Sequence, residues 1–158
     1  IIDSKDLKSR IGYSKPSCRT TWHKARHHSL RDVEIYQMLA DDIKSGRNEY
    51  VDSKSLSDLY EEKVGAKSPI HRYHVLRADE PSTTIISHLD RDGNRFIHYD
   101  PEQGRDITPR EAARIQSFDD DFDFIGNQTD TYIMIGNAVP PLLAKCVGLA
   151  VSEVLDIL

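Results

Sequence analysis

The stretch IGNAVPPLLAKC, residues 135 to 146, with the apolar run that continues it to Leu158, constrains the fold more than any other part of the chain. Gly136-Asn137 favours a turn. Pro140 and Pro141 have a fixed φ and no backbone N–H, so they suit the first turn of a helix and not its interior. Behind them Leu142, Leu143, Cys146, Val147, Ala150, Val151, Val154, Leu155 and Leu158 recur at three and four residues over a broad face. The pattern predicts a turn at 136–137 and a proline-started helix from about 140 to 158, deeply covered on most sides. The turn before it would aim backbone N–H groups and the Asn137 amide at a polar ligand atom.

The remaining elements follow from caps and periods. Val33, Tyr36, Leu39, Ala40 and Ile43 repeat at helical spacing after Ser29 and before Gly46, which predicts a helix over 30–45. Leu56, Leu59, Tyr60 and Val64 behind Ser55, with Gly65 following, predict a shorter one. Thr108-Pro109-Arg110-Glu111 is a capping box that opens a helix to about Ser117. Between these, residues 70–77, 82–88 and 94–99 are rich in β-branched and aromatic side chains, and Asp/Gly/Pro clusters separate them, so three short strands are expected. The fold class is therefore α+β: a small mixed domain of short antiparallel strands and helices that ends in a long helix. Residues 1–28 carry no clear period and read as irregular.

A length of 158 residues suits about one domain. A charged fraction of 30% against 38% hydrophobic residues is globular, and no apolar run is read as approaching the roughly 20 residues of a membrane span. Cys18 and Cys146 form no Cys-x-x-Cys pair, which fits a reducing, cytoplasmic setting. The chain opens on Ile1-Ile2 with no leader, and is expected to be a piece of a longer polypeptide. Net charge is −5, yet Lys5, Lys8, Arg10, Lys15, Arg19, Lys24, Arg26 and Arg31 face only Asp3 and Asp6 within the first 31 residues. That basic surplus marks either an anion-facing surface or a solvated tail. No two glycines form a Gly-x-Gly pair, and His23, His27 and His28 have no third ligand at zinc spacing. They read as surface histidines, and no metal site is expected.

Residues 105–118, RDITPREAARIQSF, then Asp119 to Phe122 and IGNAVPPLLA at 135–144, resemble the ninth and tenth conserved motifs of the DNA cytosine-5 methyltransferases. PSTTIISHLDRDGNRFIH, 81–98, resembles their target recognition segment with its Thr-aliphatic pair, here Thr84-Ile85, and WHKARHHSLRDVEIY, 22–36, is similar to a stretch of bacterial members. The resemblance implies residues 1–104 as a target recognition region, and 105–158 as motifs that return to a Rossmann-like catalytic domain absent from this chain. It implies double-stranded DNA and that catalytic half as partners, and a place in a restriction-modification system.

It also implies S-adenosyl-L-methionine as cofactor, approached by Asn137, Ala138 and Phe118. Thr84, Ser87, His88, Arg91 and Asn94 would face DNA, while Arg110, Glu111, Gly136 and Pro140 would be structural. The family chemistry adds a cysteine thiolate to a flipped cytosine before methyl transfer to C5. The Pro-Cys nucleophile, the base-binding glutamate and the glycine-rich cofactor loop are all missing from this sequence. No catalytic residue is therefore assigned, and the chain alone is expected to be inactive and to self-associate through its last helix. A free-standing DNA-binding specificity subunit, or a degenerate DNA-binding module without a methylation role, is the alternative. Asp119 departs from the family, which usually has proline after the aromatic residue.

Overall fold

The computed structural model describes residues 20–67 and 73–157, the last two without their side chains. Cys18, Tyr13, the basic residues up to Arg19 and the start of the expected 70–77 strand lie outside the described residues. The chain forms two compact units that interleave along the sequence: Ile1–Lys24, Ile85–Asp90 and Thr108–Leu158 in one, and Ala25–Thr84 and Arg91–Ile107 in the other. Motif order, which divides the chain at 104/105, is thus a different division from compactness.

The second unit holds α1 (Leu30–Ser45) and α2 (Ser53–Val64). Asp32 N–H donates to Ser29 Oγ at 3.2 Å, and Gly46 adopts φ 75°, a left-handed conformation that glycine enters without steric cost. One face of α1 buries Ile35, Tyr36, Leu39 and Ala40 against Leu56, Leu59, Val75 and Ile97. Buried Asp42 accepts from the Glu49 and Tyr50 N–H groups at 3.0 and 3.1 Å, which ties the α1–α2 connection to the first helix. The cap of α2 is Asp52, not Ser55: its carboxylate accepts from Lys54 and Ser55 N–H at 2.8 and 3.0 Å and starts the helix earlier than expected. The charged acceptor also complements the positive end of the helix dipole.

The expected strands do not form among the described residues. Ile97 alone bridges two neighbours, parallel to Val75 and antiparallel to Asp106. Residues 82–86 form no bridge, and Gly93–Arg95 is a 3-10 turn. The β-branched residues mark burial, of Val75, Ile85 and Ile97, rather than a ladder. Breakers every few residues leave each segment too short for continued pairing. The fold is mostly helical with a long last helix, and the α+β assignment is corrected accordingly.

The first unit contains α3 (Pro109–Ile115), α4 (Gln128–Asn137) and α5 (Pro141–Ile157). The capping box of α3 is complete, with Thr108 N–H donating to Glu111 Oε2 at 2.7 Å and Glu111 N–H to Thr108 Oγ1 at 3.2 Å. Sequence reading missed α4, whose own box pairs Asn127 with Asp130 and which packs on α3. Gly136-Asn137 is consequently the last turn of a helix, and the helical path is interrupted at 138–140. Ala144 N–H donates to Pro140 O at 2.9 Å, so Pro140 caps α5 and Pro141 opens it. Within Gln128–Leu155 an 18-residue stretch has a mean hydropathy of 1.6, which by length and composition is apolar enough to cross a membrane, contrary to the sequence reading. It is broken by that 138–140 segment. Among the described residues nothing covers the face of α5, with Val154 60% and Leu155 63% exposed.

Candidate functional site

Arg110 organises the first unit. It is fully buried, because its position on the first turn of α3 points a long cation into the unit where backbone carbonyls can receive it. Nε donates to Thr21 O at 3.0 Å, Nη1 to Asp119 O at 3.1 Å, and Nη2 to Phe122 O at 2.7 Å and Thr21 Oγ1 at 2.9 Å. The guanidinium also lies 5.7 Å from the Phe124 ring centre. A planar fork with five donors can make these four bonds at once, one more than the three donors of a lysine allow. Trp22, held at φ 61°, donates from its indole to Asp123 Oδ1 and Phe124 O, both at 3.1 Å, and closes the same junction. At the departure from family pattern, Asp119 O also accepts from Phe122 N–H at 3.1 Å and forms a turn without proline.

The end of α3 leads directly to the 138–140 break. Buried Gln116 donates from Nε2 to Ile135 O at 3.1 Å and, more weakly, to Ala138 O at 3.4 Å. Ser117, at φ 64°, accepts on Oγ from Leu142 N–H at 3.1 Å and so caps α5 from 25 residues away. Phe118, next in the chain, is half-buried in a cluster with Phe122 and Phe124 at ring separations of 5.0 and 5.3 Å. The structure thus gathers Phe118, Ala138 and the α5 start into one locality. At the start of α5, prolines occupy positions 140 and 141, and Leu142 N–H is taken by Ser117. What faces outward is the Asn137 side chain, which is exposed and makes no hydrogen bond among the described residues.

The residues expected to meet DNA separate into two kinds. Thr84, Ser87, His88 and Arg91 are exposed. Asn94 is half-buried in the second unit, where its side-chain oxygen accepts from the Tyr36 hydroxyl and its carbonyl from His74 N–H at 2.9 Å. Burial pushes the Tyr36 hydroxyl well above the usual phenol range, helped by the nearby Asp106 charge, which keeps it a neutral donor. Among the histidines read as surface groups, His28 Nε2 lies 3.0 Å from Asp106 Oδ1, beside an Arg26 Nε–Asp106 Oδ2 pair at 2.8 Å. His23 Nδ1 stands 3.1 Å from Thr108 Oγ1. These polar anchors fix the start of α1 and of α3, and Arg26 is accordingly not a free basic group. Among the described residues no group of three or more His, Cys, Asp or Glu side chains is gathered for a metal.

Sequence reasoning passed over Gln116 and Ser117, the two side chains that join the ninth-motif segment to the tenth. The only available signal was a polar pair at the end of an otherwise apolar helix turn.

Several relatives share this framework in sequence. Type II methyltransferase M.Bpa9945I of Bacillus paralicheniformis is 38% identical over 136 residues, which is 86% of this chain and 30% of the relative. Type II methyltransferase M1.HphI of Haemophilus parahaemolyticus is 33% identical over 131 residues, 83% of this chain and 31% of the relative. DNA (cytosine-5)-methyltransferase 1 of Mus musculus is 49% identical over 80 residues, 51% of this chain and 5% of the relative. The chain is thus similar to methyltransferases as a class. The family described as C-5 cytosine-specific DNA methylase matches residues 4–153, and the chain belongs to that family. It spans less than a third of the length of these three relatives. No solved structure matches it.

Proposed function

We propose that this chain is the C-terminal target-recognition portion of a bacterial DNA cytosine-5 methyltransferase of a modification system, acting in the cytoplasm. The complete protein transfers a methyl group from S-adenosyl-L-methionine to C5 of a cytosine flipped from duplex DNA. The observation that carries this reading is the family match across 4–153 in a chain that spans so little of its relatives, together with the missing nucleophile. The exposed amide of Asn137, the half-buried Ala138 and the Phe118 ring would hold the cofactor, which supplies the methyl group. An exposed amide and an aromatic ring are groups that suit a zwitterionic ligand with a planar base. Exposed Thr84, Ser87, His88 and Arg91 would read or anchor the duplex. Arg110 and Glu111 brace the motif, and the catalytic half would cover the apolar face of α5. Without that half, the exposed face favours self-association.

The test is methyl transfer from labelled cofactor to duplex DNA. The chain alone is expected to transfer nothing, and to support transfer when combined with the catalytic half. Methylation by the chain alone that survives substitution of both Cys18 and Cys146 would overturn the proposal. Site-selective DNA binding with no transfer even after that half is supplied would instead favour a specificity subunit.

A further inference from the structure

We propose that Gly136 is a positioning residue for DNA discrimination, seating the backbone of segment 85–90 on the last turn of α4; this inference rests on the function proposed above. A Cβ built on Gly136 would lie 2.6 Å from Ile86 O, 2.9 Å from Ser87 O and 3.1 Å from the Ser87 carbonyl carbon. All three are backbone atoms, so no side-chain rotation relieves the overlap. Gly136 lies outside the positive-φ glycines, and conformational freedom therefore does not account for it. Glycine inside a helix is destabilising relative to alanine, and the close approach of the 86–87 backbone is what requires it here.

Both sides of this contact are held. Gln116 donates to the carbonyls of Ile135 and Ala138, which flank Gly136 and Asn137, and so fixes the turn that the segment rests on. Ile85 and Leu89 are buried on either side of the turn closed by Leu89 N–H to Ile86 O at 3.2 Å, while Ser87 and His88 stand exposed at its tip. Displacing the 86–87 carbonyls by a methyl group's width therefore moves two outward-facing polar side chains together. The same glycine precedes Asn137 and Ala138. One contact thus sets the register of the DNA-facing tip against the cofactor-facing turn.

The experiment uses the full-length methyltransferase carrying this chain, its site first established by mapping methylated cytosines. Affinities for cognate, single-mismatch and random duplexes are measured for the parent, Gly136→Ala and Gln116→Glu. Gly136→Ala is expected to lower the cognate-to-mismatch ratio about tenfold, on the scale of one disrupted base-pair contact. Random-duplex affinity should stay within about twofold, since no phosphate-neutralising charge is lost. Gln116→Glu adds no atom to the contact but replaces a donor facing two carbonyls with an acceptor, and should lower the ratio in the same direction by less. Equal loss on all duplexes, or an unchanged ratio, would show a merely structural role and overturn the inference. If Gly136→Ala does not fold, the ratio of Gln116→Glu decides alone. A parent that methylates while the variants keep its ratio overturns this inference only; a parent that neither methylates nor prefers any duplex overturns the function and the inference together.

Discussion

Helices α1 and α5 carry nearly the same kind of apolar pattern and meet opposite fates. The face of α1 is covered by residues of this chain, with Leu56, Leu59, Val75 and Ile97 completing a core around Ile35 and Leu39. Leu143, Val147, Val151, Val154 and Leu155 on α5 remain exposed. Periodicity states that a face must be covered and says nothing about what covers it. The caps differ in the same sense. Ser29 caps α1 from the adjoining residue, whereas α5 takes its cap from Ser117, 25 positions upstream.

The largest expected effect tests the cover directly. Leu39→Ala should cost about 2–5 kcal/mol, because it removes a branched side chain from a packed core and leaves a cavity. Leu155→Ala in this chain, at a dilution where it is monomeric, should stay within about 0.5 kcal/mol, the usual range for a surface site. Urea unfolding of both variants measures the difference. Comparable losses would mean that α5 is packed in solution against something of its own, and the contrast between the helices would fail.

What was legible in the sequence follows the same line between local and distant causes. The helices at 30–45 and from Thr108 were readable because cap, period and stop all lie within a few residues of one another. The strands were not, because β-branched composition reports burial as readily as pairing, and only tertiary context separates the two. α4 was hidden by its ending: Gly136-Asn137 reads as a turn, yet Gly136 is there for the backbone of Ile86 and Ser87. Its start was signalled by the Asn127/Asp130 box. At the candidate site, the resemblance pointed to Phe118, Asn137 and Ala138. Their connection through Gln116 and Ser117 spans about 20 residues and leaves no periodic trace.

An outward-facing polar residue should behave differently from an inward one. In the full-length protein, Thr84→Ala is expected to weaken cognate binding by about 1–3 kcal/mol and to leave random-duplex binding nearly unchanged. Neutralising Lys15, Arg19 and Lys24 should weaken both duplexes alike and flatten the salt dependence. Arg26 is best left out of that set, since its pairing with buried Asp106 would add a folding defect. Salt titrations on the two duplexes separate the effects. Equal loss on both for Thr84→Ala would remove it from the reading surface.

The smallest effect sharpens the contrast in caps. Ser117 holds a left-handed φ of 64° and at the same time accepts from Leu142 N–H. Its two properties can be separated by substitution. Ser117→Ala keeps the unfavourable φ and loses the acceptor, and should cost about 1 kcal/mol, as for other lost helix caps. Ser117→Gly loses the same acceptor but relieves the left-handed conformation, a gain of about 1 kcal/mol offset in part by the greater freedom of the unfolded chain. The glycine variant should therefore lie within about 0.5 kcal/mol of the parent, and above the alanine variant. Unfolding curves of the three proteins decide the matter. A glycine variant weaker than the alanine one would mean that the turn imposes no strain, and an alanine variant equal to the parent would mean that α5 starts without help from Ser117.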